Sequence, residues 1–458
     1  MTLSMESIAE TLGVADADLA AGLPDSVAGW SIDSRSINPG DCFFALRGPT
    51  HDGHDYVAQV LANGASAAVV DRRVDGAAAA LQLVVPDTTL ALGKLGRAVR
   101  DRMTGVPVVA VTGSAGKTST KDIVASLLSA QFRTGKTVGN FNNHLGVPLS
   151  LLRLPDDSRA AVLEMGMNHA GEIRELAKIA RPSVGVITNV GWAHTENFPD
   201  GIEGVARAKR ELIEELPVDG IAVLNADDPR VREFAKVHGG RSILFGFADD
   251  AEVRGEDLEL SPAGVRFRAL GTDFEASLTG RHAVSNILAG IAVCRALDIS
   301  PERLRDAVHS LTPGKMRGER LERNGVTIIN DCYNANPEAT RSMIELLQGV
   351  PARRRIAVLG EMLELGPEAE SLHRRTGKFA AEQGLDAVFG IRGAARFMVE
   401  EAVKSGMSDS AALFFNTSEE AGDFVKDYLQ PGDAVLFKGS RGVQVEKALN
   451  RAIGEVRD

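Results

Sequence analysis

Cysteine is scarce in this chain, and the three present, Cys42, Cys294 and Cys332, are scattered without CxxC or metal-ligand spacing. An odd, dispersed set excludes a disulfide framework and a zinc centre, and implies reduced thiols in a cytosolic protein. Aromatic residues make up only 5%. No apolar run approaches ~18 residues, and the start, MTLSMESIAETLG, has neither a basic n-region nor an apolar h-region, so neither membrane insertion nor export is expected. Long basic runs are also missing. The 51 Lys+Arg against 62 Asp+Glu leave a net charge of −11, which speaks against nucleic acid as a partner. Glycine, by contrast, is abundant, 47 of 458 residues, set among short β-branched runs. With 25% charged and 44% apolar residues the composition is that of a globular protein. At ~150 residues per domain the length predicts about three domains.

The recurring unit is a short β-branched run, a glycine turn and a helical stretch, which predicts α/β layers. In the clearest instance VPVVAVTG reads as a buried parallel strand, SAG as a turn, and KTSTKDIVASLLSAQ as a helix. Strands are expected again at AAVLEMG (160–166), SVGVITNV (183–190) and GIAVLNADD (220–228), making a central doubly wound, mostly parallel sheet. A second series, VTIINDCYN, RRIAVLGEM, DAVFGIRG and DAVLFKGSR, predicts a Rossmann-like C-terminal domain. Before residue 100 the shorter strands SINPGDCFFAL, ASAAVVD and LQLVVPD predict a small α/β N-terminal domain. Turns near Thr104 and Pro313 divide the chain into 1–103, 104–313 and 314–458.

Thr112, Gly113, Ser114, Ala115, Gly116, Lys117 and Thr118 follow a predicted strand and open a helix. Backbone N–H groups and Lys117 can there cradle a phosphate, and Thr118 can offer its hydroxyl to Mg²⁺. Val111 replaces the first glycine of the usual phosphate-loop pattern, so the strand–turn–helix context carries the reading of nucleotide binding. Glu164 and His194 fall beyond the C-termini of predicted parallel strands, where open sheets bind ligands. They could join Thr118 around a metal, or serve as a helix cap and a loop histidine. Lys209 lies within the apolar stripe Ile202, Val205, Ala206, Leu212, Ile213, Leu216 of a predicted helix, 202–216. It either snorkels past the core or needs a charge partner or a changed ionisation state. Asn286 could read an adenine edge or cap a turn, and Asp331 could hold a ribose hydroxyl. The segments DSR (33–35), GNFNNHLG (139–146) and KGSR (438–441) combine turns with donors for phosphate or carboxylate.

In order along the chain, TGSAGKTSTK, TVGNFNNHLGVPL, EMGMNHAGEI, NVGWAHTENF, GRHAVSNILA, NDCYNANP, LGEMLELG and KGSR resemble the Mur ligase family. The resemblance covers nearly the whole chain. GNFNNHLGVPL, YNANP and LGEMLELG look most like the branch that adds D-Ala-D-Ala to UDP-N-acetylmuramoyl-tripeptide. The family also holds ligases that add earlier stem-peptide residues, and folylpolyglutamate synthases. A P-loop ATP-binding module without ligase activity is the rival from another class. The resemblance implies three domains, for UDP-substrate, ATP and the incoming dipeptide. A monomer in the cytoplasm is expected, although the sequence leaves the oligomeric state open.

By that resemblance the loop from Thr112 to Ser119, with Lys117, holds ATP phosphates. Thr118 and Glu164 bind one Mg²⁺, His194 helps bind a second, and Lys209 is carbamylated by CO₂. Asn286 and Asp331 match adenine-side and ribose-side positions. In KMRGERLE, Arg317 and Arg320 compete for a phosphate contact, and Arg320 is preferred for its match to Arg-Leu-Glu. Ser34, Arg35, Phe44, Arg47 and THDGHDY resemble the uridine-diphosphate pocket. Asn142 and Asn143 are expected to face the muramoyl-peptide, and Tyr333, Asn334, Asn336, Ser440 and Arg441 to surround the acceptor dipeptide.

Overall fold

The computed structural model describes residues 2–14 and 24–454. Four short parallel strands, Gly29–Ser31, Asp41–Phe44, Ala67–Val70 and Gln82–Val84, form the first sheet in sequential order. The helix Thr88–Arg102 follows, its N-terminus capped by the Asp87 carboxylate, which accepts from Leu90 N at 2.8 Å. Its inward Leu92 and Leu95 share one apolar core with Phe44 of the first sheet and with Val147, Leu151 and Leu176 beyond it. The N-terminal unit is therefore packed onto the next one rather than tethered to it.

The second sheet has seven strands, all parallel. Val108–Thr112 stands inside it, buried along its whole length. Ala160–Glu164 and then Thr134–Lys136 lie on one side; Val184–Ile187, Ile221–Asn225, Arg241–Gly246 and Val253–Arg254 lie on the other. The chain winds first to one side of Val108–Thr112 and then to the other, opening a crevice at its C-terminal end. The predicted strands of this sheet are present. Thr134–Lys136 and Arg241–Gly246 were not anticipated, nor was the antiparallel trio Glu256–Ser261, Gly264–Ala269 and Thr272–Ala276.

The third large sheet runs Glu319–Arg323, Val326–Asp331, Asp433–Lys438, Arg354–Gly360, Ala387–Ile391, Ala412–Phe415; only its first pair is antiparallel. Glu319–Arg323 reads ERLER and is mostly charged, which is why no apolar alternation announces it. All three cysteines are free and buried: Cys42 within the strand Asp41–Phe44, Cys294 on the helix Arg281–Ala296 and Cys332 just after the strand Val326–Asp331. Among the described residues no helix is long and apolar enough to cross a membrane.

Candidate active site

The turn after Val108–Thr112 depends on glycine at two places. At Gly113 (φ 155°) a Cβ would come within 1.8 Å of Thr188 Oγ1, and Gly116 adopts φ 77°. The turn is pinned from the next strand's exit. Ser114 N donates to Asn189 O at 3.0 Å and Ala115 N to Asn189 Oδ1 at 2.8 Å, while Ser114 Oγ donates to Gly191 O at 3.0 Å. The helix Lys117–Ser129 then opens without a side-chain cap, leaving N–H groups and a positive dipole end for an anion. Lys117 Nζ, donating to Gly113 O at 2.8 Å, folds over the turn. Burial lowers its pKa below the lysine range, against the opposing pull of Glu164. Asn189 was not singled out from the sequence, although it stands in the quoted segment NVGWAHTENF.

Glu164 ends its strand almost fully buried, with both oxygens held. Oε2 accepts from Thr118 Oγ1 and Oε1 from Asn142 Nδ2, each at 2.8 Å. Asn142 thus supports the Glu164 carboxylate while lining the same cleft. Asn143 does not reach the site: its Oδ1 accepts from Leu145 N at 3.2 Å and Gly146 N at 2.9 Å, turning the chain into Gly146–Leu152. Lys209, on the helix Ile202–Glu214, is 1% exposed. Burial, reinforced by the charge of Lys117, drives its pKa well below the lysine range. No hydrogen bond or ion pair reaches it among the described residues. At that exposure the side chain lies within the packed face of its helix rather than extending along the surface.

The C-terminal domain closes over this crevice. Arg317 Nη2 donates to Thr118 Oγ1 at 3.0 Å while its guanidinium stacks 3.9 Å from the Tyr333 ring centroid. Arg320 turns away, donating to Pro262 O at 2.9 Å and to Glu322 at 3.1 Å. The preference for Arg320 is thereby reversed: on an edge strand paired with Val326–Asp331 it faces the antiparallel trio, not the phosphate turn. Asn336 caps the helix Pro337–Gln348 through Ala339 N at 2.8 Å, and its Nδ2 donates to Ser114 O at 3.3 Å. Asp331 accepts from Lys438 Nζ at 2.5 Å, and the same ammonium donates to Asn334 O at 2.9 Å. Ser440 Oγ accepts from Leu363 N at 3.0 Å. Arg441 pairs with Glu446 at 2.8 Å. His194, with φ 60°, meets the Glu364 carboxylate.

A cleft of about 430 Å³ brings together Ser114–Ser119, Glu164, His194, Arg317, Asp331, Tyr333 and Asn336. A second cleft of about 350 Å³ adjoins it. It shares Ser119, His282, Asn286 and Arg317, and has apolar walls at Ile123, Leu278, Ala283 and Leu311. Asn286 Oδ1 accepts from Thr120 Oγ1 at 3.1 Å, between the two. The donor set suits Mg²⁺, which takes one or two carboxylates with hydroxyl, phosphate and water oxygens. Among the described residues no three His, Cys, Asp or Glu side chains converge into a metal cage, so phosphate oxygens would complete the shell.

The N-terminal residues lie apart from this cleft. Arg35 is exposed and bonded to Asp33 at 2.7 Å, and Ser34 sits in the short turn that Asp33 caps. Arg47 pairs with Asp71 at 2.9 Å. Phe44 is fully buried with its ring against Trp30, 6.1 Å between centroids. As a core side chain it is not available to stack on a ligand, which corrects its assignment to a binding surface.

Known proteins share this arrangement. Residues 111–294 match the Mur ligase middle domain, 316–441 the Mur ligase glutamate ligase domain, and 26–100 the catalytic domain of the Mur ligase family. The UDP-N-acetylmuramoyl-tripeptide–D-alanyl-D-alanine ligase of Bacillus subtilis is 34% identical over 435 residues, 93% of each chain. A crystal structure of MurF from Acinetobacter baumannii superposes with a TM-score of 0.91 at 32% identity, covering 99% of both chains. MurF ligase from Thermotoga maritima, in complex with ADP, gives 0.81 at 31% identity, covering 93% of this chain and 96% of that one.

Proposed function

The chain belongs to the Mur ligase family, and from that premise we propose its reaction and the residues that carry it. It is an ATP-dependent ligase that joins D-alanyl-D-alanine to UDP-N-acetylmuramoyl-tripeptide through a C–N bond, in peptidoglycan precursor synthesis. The observation that carries the reading is the meeting of Lys117, Thr118 and Glu164 with Arg317, from two domains, at one cleft.

Residues 1–103 bind the UDP-substrate, 104–313 bind ATP and 314–458 bring the dipeptide. The phosphates lie on the Gly113–Ser119 turn, with Lys117 released from Gly113 O to reach them. Adenine enters the adjoining cleft beside Asn286, and Asp331 holds the ribose with Lys438 fixing its orientation. The terminal carboxylate of the tripeptide attacks the γ-phosphorus, the bond to ADP breaks, and an acyl phosphate forms. The dipeptide amine then attacks the acyl carbon; phosphate leaves and the nitrogen gives up its proton. Such steps are driven by positioning and charge stabilisation, so Lys117 and Arg317 face the transferring group, and closure through Asn336 excludes water.

Thr118 and Glu164 would hold one Mg²⁺, and His194 with Lys209 a second. When bound, these ions offset the charge that spreads over the phosphoryl oxygens. Lys209 suits carbamylation by CO₂: a buried amine without a counter-ion favours its neutral, nucleophilic form. All these residues lie on one chain, so the reading needs only a monomer, acting in the cytoplasm. Tyr333, Asn334, Ser440 and Arg441 flank the dipeptide's path, while Ser34, Arg35 and Arg47 serve the diphosphate end.

The test is a coupled phosphate-release assay crossing UDP-muramoyl-peptides with D-Ala-D-Ala, D-Ala and L-amino acids. Turnover is expected only with the tripeptide and a D,D-dipeptide. Ligation of a single L-amino acid, with D-Ala-D-Ala inert, overturns the assignment.

A further inference from the structure

The LGEMLELG segment reaches from the C-terminal domain to the central one. It is held from behind by Met362 N, donating to His373 Nε2, and Leu363 N, donating to Ser440 Oγ, each at 3.0 Å. Its far side docks on the residues after His194. Glu196 N donates to Glu364 O and Thr195 Oγ1 to Leu365 O, each at 3.2 Å. At Gly366 (φ 58°) a Cβ would fall 2.9 Å from Glu196 Cα, so the approach is close. Between these contacts Glu364 takes a left-handed φ of 65° and sets its Oε2 against His194 Nδ1. That nitrogen is buried and, among the described residues, has no well-aligned hydrogen-bond partner, so the carboxylate is the group it meets.

A metal-binding imidazole uses one ring nitrogen for the ion and rests the other N–H on a carboxylate or carbonyl, which fixes tautomer and ring orientation. His194 lines the cleft with one nitrogen already met by a carboxylate. That carboxylate belongs to a different domain from the ring.

We propose that Glu364 is a positioning residue of the metal site: it accepts the Nδ1 proton of His194, leaving Nε2 as the metal-facing nitrogen when the C-terminal domain is docked. The inference rests on reading His194 as a ligand of the second Mg²⁺. Its consequence is that this metal position becomes complete only after the acceptor-carrying domain has closed. An acyl phosphate then does not form in an open molecule, where water would consume it.

The test is Mn²⁺ titration of the full-length protein with the non-hydrolysable ATP analogue AMPPCP, free Mn²⁺ being read by electron paramagnetic resonance. Wild type is expected to bind two ions. Glu364→Gln should weaken one of them by about 10–100-fold, the usual effect of losing such a partner. His194→Asn should weaken the same ion, and the double variant should be no worse than His194→Asn. Two wild-type affinities in Glu364→Gln, with one lost in His194→Asn, overturn the proposal. Retention of both ions in His194→Asn overturns the ligand reading itself, and the inference with it. A plain latch would weaken AMPPCP binding without metal as much as with it, so an equal loss in both conditions also overturns the proposal. Glu364→Asp serves if the Gln variant melts early.

Discussion

The nucleotide end of the molecule and the N-terminal domain differ in what their polar side chains already hold. At the first, among the described residues, Lys209 has no counter-ion, Thr112 Oγ1 is buried without a partner, and the Lys117–Ser129 helix opens uncapped. At the second, Asp52 takes Arg72 at 3.0 Å and His54 Nδ1 at 2.6 Å, while Asp71 takes Arg47 at 2.9 Å. A site whose groups lack partners is built for a ligand that will supply them, and its substitution costs function more than stability. A network that satisfies itself holds its loop in shape, and a ligand must add to it from outside.

The largest break in that contrast should come from Lys117→Ala. Turnover should fall by about 10³-fold, since the residue faces developing phosphoryl charge, while the thermal midpoint stays level or rises as a buried ammonium is removed. A melting point that collapses along with activity would show that the turn is a structural element first.

Lys209→Ala should lose about 10²–10³-fold in turnover, with part returned by acetate or formate entering the space left behind. Arg or Gln there should not respond. The same lysine sets a stability slope. Its folded pKa lies well below 10.5, so between that lowered value and 10.5 the unfolded chain binds a proton that the folded chain does not. Stability of the metal-free protein should therefore rise with pH up to about 10.5, the ordinary lysine value. Chemical denaturation at several pH values should show a shallower rise in Lys209→Met; an unchanged slope would contradict the burial argument.

Arg317→Ala should cost about 10²-fold in kcat, and Arg320→Ala no more than about 3-fold, because only the former touches Thr118. Equal effects in steady-state kinetics would remove Arg317 from the phosphate site.

The smallest effect on turnover belongs to the N-terminal pair. Arg35→Ala should raise KM for the UDP-substrate by about 10-fold with kcat unchanged, the mark of lost uniform binding. Phe44→Ala should instead destabilise by about 3–5 kcal/mol in urea unfolding and leave KM near wild type among folded molecules. A raised KM without destabilisation would return Phe44 to the binding surface.

What the sequence made legible is local. The phosphate turn could be read because strand, glycine turn and helix are contiguous, and Lys209 because a charge interrupting an apolar stripe stands out at a period of 3.6 residues. The arginine choice could not, since 317 and 320 straddle the start of a strand and only its pairing decides which one faces the cleft. Asn142 reaches Glu164 by a loop return that no periodicity encodes. Glu364 lay inside a quoted motif, yet its role depends on a contact across 170 positions of chain. Phe44 is obscured for a different reason: Asp41–Phe44 is buried at every position, as strands covered on both faces are, and an aromatic ring there belongs to the interior.

One thiol stands in or beside each large sheet, and each is buried. Burial pushes Cys42 and Cys294 up to about 12, and Cys332 is shifted in the same direction, so none carries appreciable thiolate in the native protein. An alkylating reagent can label them only during local opening. Three alkylation rates, followed by peptide mass spectrometry on the unaltered protein, would then rank the domains by how often each one breathes.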